Sequence, residues 1–425
     1  MPTIDGLALD RRAFLIGALA AAAPTWSRAA GLTGLSGKRF EVVHWWAGGS
    51  ESDAIRVVRR ALEAEGGTWL DVTVQGPDLA KAAAMTRVLG GAAPGAMLWH
   101  VGPDLPRLVT DGVIRDVEAA AAAQGWDAIL PAAVAAQMKV DGRYVAAPID
   151  LHGANWMFAH RRRLEEAGAE LPRTWDEAIA ACERLRAAGT IPIALGGQPW
   201  QEALVFAQAV VGTGGADLMR RMCVEHDVSG DLPAVAAAFE TFGRLRPFVD
   251  KGSPNRGPTD TANLVSSGRA GFLFTGDWSR GELEKAGLKA GADYLARPAP
   301  GNDGVFLAVV DAFCMPRAVS APIAEAQDAF ARLVMSPGVQ HDFNLVKGSI
   351  PTRTDVDLAR YDEGARAAAR LTRGEGEVVA SLSMGMTTAM RAALYEVVHR
   401  FWTTEGADPK RAASDLRDAI ARTRA

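Results

Sequence analysis

The stretch FEVVHWWAGGSES, residues 40–52, decides how the chain begins to fold. A β-branched run leads into two adjacent tryptophans, Trp45 and Trp46, and then into a glycine pair, which is typical of a strand that ends in a loop. Neighbouring strand side chains point to opposite faces. One indole can therefore pack in the core while the other lies on the opposite face of the strand. What the second indole contacts bears on the function.

The segments that follow predict an α/β fold. Apolar residues at helical spacing and a closing glycine pair predict a helix over residues 51–67. Residues 68–76 alternate as a half-buried strand does, and residues 96–102 form a further apolar strand. The order strand, helix, strand predicts a mostly parallel sheet.

Aromatic residues mark the predicted strand ends. Trp45 and Trp46 follow the first strand, and Trp99 and His100 end a later one. Because ligands of open α/β sheets bind beyond the carboxyl ends of the strands, we expect these residues to lie near a ligand site.

Three crossings predict two discontinuous lobes with a cleft between them. They are residues 144–160, the apolar strand 304–316 and the irregular stretch 346–357. Helices are expected to dominate from the first crossing to about residue 290. The first of these has Thr174 and Glu177 in the spacing of a capping box.

The N-terminus is typical of an export signal. Arg11 and Arg12 precede an apolar segment, residues 14–23, which is too short to span a bilayer. Small residues near Ala29 allow cleavage, so residues 1–29 are predicted to be a signal peptide that resembles the twin-arginine type. An ordinary secretory signal is the alternative.

Composition excludes several classes of protein. The net charge of −4 and the lack of long basic runs give no footprint for nucleic acid. Three widely spaced cysteines form neither a disulfide framework nor a metal motif. The seven histidines have no metal-ligand spacing, and nucleotide-binding and nucleophile motifs are missing. We therefore predict no catalytic residue, no metal ligand and no cofactor.

Aromatics beside polar groups predict a carbohydrate site. Such pairs occur in Trp99-His100, in His152 with Asn155-Trp156, and in GDW at 276–278. A sugar ring presents apolar faces that stack on indoles and hydroxyls that need charged or amide partners. A single tryptophan is more often a core residue, so each pair on its own is weak evidence.

Several motifs resemble one family, in order along about residues 38–400. They include VVHWWAGGSE, KVDGRYVAAPIDLHGANWMF, PIALGGQPWQEALVF, GFLFTGDWSRGELEKAG and FNLVKGSIPTRTDV. The chain resembles the sugar-binding components of bacterial ABC importers, extracellular solute-binding proteins of the glucose or mannose type. The resemblance implies a type II periplasmic-binding-protein fold whose two lobes close on the ligand. It also implies a monomer.

The resemblance also implies lobe boundaries and site residues. The first lobe would comprise residues 38–147 and 304–348, and the second lobe residues 153–303 and 351–425. The residues implied to contact the ligand are Trp45, Trp46, Glu51, Trp99, Trp278, Asp311, Lys347 and Met384. Gln198 and Trp200 would shape the cleft or touch the ligand.

The chain departs from the family pattern at hydroxyl-binding positions. Met384 stands where relatives carry histidine, Val309 replaces an amide, and Gly153 replaces an arginine. Trp99 replaces a glutamine, and Pro258 falls where a tryptophan is expected. Each hydroxyl left unpartnered costs about 1–3 kcal/mol, so the ligand is predicted to differ from glucose.

The sequence therefore predicts a periplasmic binding protein, not an enzyme, that hands a sugar or sugar-like ligand to the membrane subunits of an ABC permease. A less polar ligand, such as an aromatic glycoside, is one alternative. Delivery to a sensor is another, and an exported carbohydrate-active enzyme with facing carboxylates is a third.

Overall fold

The computed structural model describes residues 34–317 and 320–424. The predicted signal peptide, residues 1–29, lies outside these residues. No helix among the described residues is long and apolar enough to cross a membrane.

Twelve strands lie within the described residues and form three sheets. The strands are β1 (Arg39–His44), β2 (Thr68–Thr73), β3 (Ala96–His100), β4 (Lys139–Val140), β5 (Arg143–Tyr144), β6 (Ala146–Gly153), β7 (Trp156–His160), β8 (Ile191–Ala194), β9 (Ala270–Thr275), β10 (Tyr294–Pro298), β11 (Val305–Cys314) and β12 (Glu377–Ala380). A six-stranded sheet has the order β12-β11-β3-β1-β2, with β6 also paired to β11. A four-stranded sheet has the order β10-β7-β9-β8, and β4 pairs with β5.

Eighteen α-helices cover these sheets in the described part of the chain. They are α1 (Gly49–Ala64), α2 (Pro77–Leu89), α3 (Asp104–Thr110), α4 (Glu118–Gln124), α5 (Trp126–Ile129), α6 (Ala132–Gln137), α7 (Arg161–Ala167), α8 (Trp175–Ala187), α9 (Pro199–Arg220), α10 (Leu232–Leu245), α11 (Pro258–Ser266), α12 (Ser279–Lys285), α13 (Ala321–Val334), α14 (Pro337–Lys347), α15 (Glu363–Arg370), α16 (Leu382–Gly385), α17 (Thr388–Thr403) and α18 (Pro409–Thr423). Short π-helical turns, Arg221–Glu225 and Leu371–Glu375, follow α9 and α15.

The six-stranded sheet and its helices, here called the first lobe, contain the predicted parallel unit. β1 pairs in parallel with β2 and with β3, as the sequence predicts. The helix predicted over residues 51–67 is confirmed as α1, and α14 packs against it. β1 ends at His44, so Trp45 and Trp46 are the first residues beyond its carboxyl end.

The four-stranded sheet and its helices are here called the second lobe. This sheet was not predicted from the sequence. β8 and β9 fall in a stretch expected to be helical. Both are short apolar runs between helices, and such runs fit a buried strand as well as a helix. The capping box at Thr174 and Glu177 is confirmed, with both reciprocal hydrogen bonds formed.

Two antiparallel strands, β6 and β11, connect the lobes. β11 pairs with β12 at its start and with β3 at its end, while β6 runs along its other side. Leu307 and Val309 pack in the core beneath the second lobe, whereas Val310 and Phe313 pack in the core of the first. These strands therefore place the residues at their midpoints between the two cores.

Candidate functional site

The predicted site residues other than Met384 lie where the strands of the first lobe end and the lobes face each other. The ring centroid of Trp45 lies 4.9 Å from that of His100 and 6.2 Å from that of Trp46. From the second lobe, the Trp278 ring lies 5.3 Å from the His152 ring. The aromatic and charged side chains form one continuous cluster.

The two adjacent tryptophans have different neighbours. Trp46 packs in the core, with its ring centroid 5.1 Å from that of Phe343, and Trp45 packs against His100. The ammonium of Lys347 lies 5.6 Å from the Trp46 ring centroid. Both indoles are buried. Trp46 therefore supports a charged site residue, while Trp45 itself faces the charged cluster.

The GDW loop brings Trp278 to the cluster. A Cβ atom on Gly276 would lie 2.0 Å from the Trp278 ring, so only glycine lets the indole fold back at this point. The half-buried ring meets the His152 ring edge to face, at 89°. Glycine and tryptophan in this motif are thus linked by a steric requirement.

A buried network of carboxylates surrounds His152. Its Nδ1 lies 2.8 Å from an Asp277 oxygen, and its Nε2 lies 3.2 Å from an Asp150 oxygen. Asp150 also accepts a hydrogen bond from the backbone N–H of Asp311 at 3.1 Å. Asp150 and Asp277 are not among the ligand-contact residues that the resemblance implies. The available signal was IDLHG, in which two ionisable residues share one face of an otherwise apolar strand.

These contacts change the proton affinities. Burial lowers the pKa of His152, but the charge of Asp150 and the hydrogen bonds to Asp150 and Asp277 raise it to about 9. Burial and the neighbouring Asp150 charge raise the pKa of Asp311 well above its usual range. At neutral pH His152 is therefore a cation between carboxylates.

Asp150, His152 and Asp311 also have the composition of a metal site. One ligand atom from each lies within 4.8 Å of the others. Metals bind the neutral imidazole, whereas both nitrogens of His152 face carboxylates and its pKa is raised. The ion pairs of His152 with Asp150 and Asp277 therefore account for the close approach of these groups.

Glu51 and Lys347 form an ion pair at the edge of the cluster. The Lys347 ammonium is buried and donates to Glu51 at 2.6 Å. Burial lowers the pKa of Lys347, but the carboxylates of Glu51 and Asp150 raise it by more. Lys347 is therefore a fixed positive charge on the side of the first lobe.

A second lysine, absent from the sequence prediction, lies beside Trp99. Lys81 Nζ is 3.3 Å from His100 Nδ1 and 5.0 Å from the centroid of the Trp99 ring. His100 Nε2 lies 3.4 Å from an Asp311 oxygen. Burial and the positive charge of Lys81 hold the pKa of His100 well below its usual range, so its ring is neutral.

The substituted positions are explained by local packing. A Cβ atom on Gly153 would lie 2.8 Å from the Phe306 ring. This ring therefore occupies the space that a larger side chain at position 153 would need. Val309 is buried in the core of the second lobe, and Pro258 begins α11. Met384 is buried, and its backbone carbonyl lies 2.6 Å from a Cβ atom built on Gly102.

The GGQPWQ motif is bonded largely within itself. The Trp200 indole donates to the Gln198 side chain at 2.8 Å, and Gln201 donates to the same oxygen at 3.1 Å. Gln201 also donates to the backbone carbonyl of Arg256. The motif shapes the second lobe at the start of α9.

Several buried polar atoms of the cluster have no hydrogen-bond partner in the described part of the chain. They include Nε1 of Trp46, Nε1 of Trp99 and Oδ1 of Asp311. An unmet buried donor or acceptor costs about 1–3 kcal/mol. Nε1 of Trp69, Trp156 and Trp175, away from the cluster, also lacks a partner among the described residues, so the unmet atoms favour a polar ligand only together with the rings and charges beside them.

Comparison with known proteins agrees with this geometry. The family model for bacterial extracellular solute-binding proteins matches residues 58–370. The chain belongs to this family. A probable sugar-binding periplasmic protein of Brucella suis biovar 1 is 35% identical over 371 residues, which cover 85% of this chain and 87% of that protein. A protein of the same description from Rhizobium meliloti is 35% identical over 378 residues, which cover 87% and 90%.

A solved structure gives the same fold. A chitin oligosaccharide binding protein superposes with a TM-score of 0.77 at 15% identity, covering 90% of this chain and 98% of that one. The chain therefore has the two-lobed type II periplasmic-binding-protein fold that the sequence predicts.

The lobes of this binding protein touch across the cluster. Glu282 of α12 accepts hydrogen bonds from the backbone N–H of Ser50 at 2.6 Å and from its hydroxyl at 2.9 Å. A Cβ atom on Gly49 would lie 2.0 Å from the Glu282 carboxylate, so this approach requires glycine. Two further ion pairs join the lobes, Lys285 with Asp53 at 2.7 Å and Arg391 with Asp78 at 3.0 Å.

The raised pKa of His152 predicts a pH-dependent contribution to stability. The contribution is complete below about pH 6.5, the pKa of a free histidine, and is lost as the pH rises through about 9. It amounts to about 3 kcal/mol at most. We expect the difference in free energy of unfolding between the native protein and His152→Gln to be largest near pH 6 and to shrink toward pH 10, measured by urea denaturation. His226→Gln, which loses a contact to a backbone carbonyl, is the control, and a His152→Gln difference that does not vary with pH contradicts the network.

The Glu282 contact predicts an effect on lobe closure. Glu282→Ala removes the acceptor of two hydrogen bonds to Ser50 and should shift the equilibrium toward the open form by about tenfold. Small-angle X-ray scattering of the variant should give a larger radius of gyration than the native protein. Glu240→Ala, which removes an exposed carboxylate of α10, should leave the radius unchanged. Equal radii for all three proteins would show that this contact does not hold the lobes together.

Proposed function

We propose that the protein is the periplasmic sugar-binding component of an ABC importer. It captures a sugar between its lobes and delivers it to the membrane subunits of a permease. The observation that carries the proposal is the cluster between the lobes, where indole rings stand beside buried polar atoms without partners. The relatives described as probable sugar-binding periplasmic proteins support it.

Each site residue has a role that suits a sugar. Trp278 and Trp45 offer ring faces to the C–H surface of the sugar. Asp311, Lys347 and Glu51 hydrogen-bond its hydroxyls. Trp46 supports Lys347, and the remaining members of the site are Trp99 and Met384. The lobe boundaries at residues 147/153, 303/304 and 348/351 belong to the same proposal, although β12, which follows the last of them, pairs with β11 in the six-stranded sheet.

The buried charges argue against a less polar ligand. Asp150, Asp277, Asp311 and Lys347 are almost inaccessible to solvent. An apolar solute placed against them leaves their remaining donors and acceptors unmet, which is costly for buried ions. Although Met384 and Val309 are apolar, the site as a whole favours a ligand rich in hydroxyls.

The same geometry favours binding over catalysis. A glycosidase places two carboxylates on opposite sides of the scissile bond. Asp150 and Asp311 are instead paired residues on adjacent strands, side by side. We therefore propose a binding protein without catalytic residues that works as a monomer, releasing its ligand to the permease when the lobes open.

The role of Trp278 gives a direct test. Neutral hexoses, pentoses and the corresponding sugar acids are screened by thermal shift, and the dissociation constant of the best ligand is measured by calorimetry. Trp278→Ala should weaken binding by about thirtyfold, since a buried aromatic anchor contributes roughly 2 kcal/mol. Trp278→Phe keeps a flat ring and should lose less than tenfold. If no sugar of any kind shifts the melting temperature, the proposed function fails.

A further inference from the structure

Lys81 is a buried cation that the proposed sugar site does not use. It lies in α2, and only 5% of its surface is exposed. Its ammonium contacts His100 and the face of the Trp99 ring. Within residues 34–317 and 320–424, no carboxylate oxygen lies within ion-pairing distance, 4 Å, of its Nζ. A buried ammonium without a counter-charge is costly.

Charged groups of both signs lie around Lys81, and the strongest of them is a cation. Burial and the positive charge of Arg391 lower the pKa of Lys81 to about 8. Arg391 reaches over from α17, is itself buried, and is paired with Asp78. Arg391 is thus a second buried cation that acts on Lys81, while the carboxylates of Asp78, Asp104 and Asp311 act on it from beyond ion-pairing distance. Glu51 offers no counter-charge to Lys81, because it is already paired with Lys347.

The groups nearest to Lys81 do not neutralise it. His100 is a neutral ring whose Nδ1 faces the ammonium and whose Nε2 faces Asp311. Asp311 acts on Lys81 only from beyond His100, and it also faces His152 and Lys347. Lys81 is therefore a buried ammonium whose nearest contacts, the neutral His100 ring and the Trp99 ring, carry no negative charge.

We propose that the ligand is an acidic sugar, of the uronic or aldonic acid class, whose carboxylate is bound by Lys81 beside Trp99. The proposal rests on the proposed function and specifies its ligand. A carboxylate presents two acceptor oxygens. The Lys81 ammonium can donate to one, and the unpartnered Nε1–H of the neighbouring Trp99 is a second buried donor.

The proposal is tested with matched pairs of ligands that differ by one carboxylate. The dissociation constants of glucose and glucuronate, and of galactose and galacturonate, are measured by calorimetry at low salt. In at least one pair the acid should bind about ten to a hundredfold more tightly, as expected for a charge-assisted contact.

Variants show whether Lys81 is responsible. Lys81→Met should reduce the ratio of acid to neutral affinity to near one, while Lys81→Arg should retain a preference for the acid. Lys38→Met, which removes an exposed lysine of the first lobe, should leave the ratio unchanged. This control makes the same change in net charge, so it separates a local contact from long-range attraction.

The outcomes distinguish this inference from the proposed function. The acidic-ligand proposal is overturned if neutral sugars bind as tightly as their acids, or if Lys81→Met does not alter the ratio of acid to neutral affinity. In either case the proposed function, binding of a sugar, still stands. A sugar phosphate that binds more tightly than every uronate or aldonate overturns the carboxylate assignment. If neither neutral nor acidic sugars bind, the proposed function itself fails.

Discussion

The ion pairs of His152 hold the site together. They join β6, which crosses between the lobes, to the GDW loop of the second lobe through Asp277. The Asp277 backbone N–H donates to the Gly153 carbonyl at 2.9 Å, and the Gly153 N–H donates to the Asp277 carboxylate at 3.0 Å. Because Trp278 follows Asp277 directly, the same contacts set the position of the indole that faces the cluster. The position of Trp278 in the ligand site and one of the links between the lobes thus depend on one buried histidine.

The sequence predicted the parts of this structure that depend on local pattern. The strand before Trp45, the helix after it and the capping box at Thr174 follow from periodicity and from cap residues. The second sheet was missed because β8 and β9 are short apolar runs whose partners are distant in the chain. Pairing between distant strands cannot be detected from the periodicity of a short stretch of sequence.

The charged part of the site was harder to predict. Lys81 lies in the alanine-rich stretch LAKAAAM, where a lysine ordinarily faces solvent, and its burial arises only when α2 packs against β3. Asp277 was visible within GDW, but its partner His152 is 125 residues away. The apolar substitutions Met384 and Val309 were visible, and on their own they favoured a less polar ligand. The buried charges that reverse this conclusion come from tertiary contacts.

The most direct test of the account is the crystal structure of the protein with the ligand that gives the largest thermal shift. The account predicts closed lobes, a sugar ring against Trp278, and hydroxyls within hydrogen-bond distance of Asp311 and Lys347. A ligand bound away from this cluster, or bound to one lobe with the lobes apart, would contradict it.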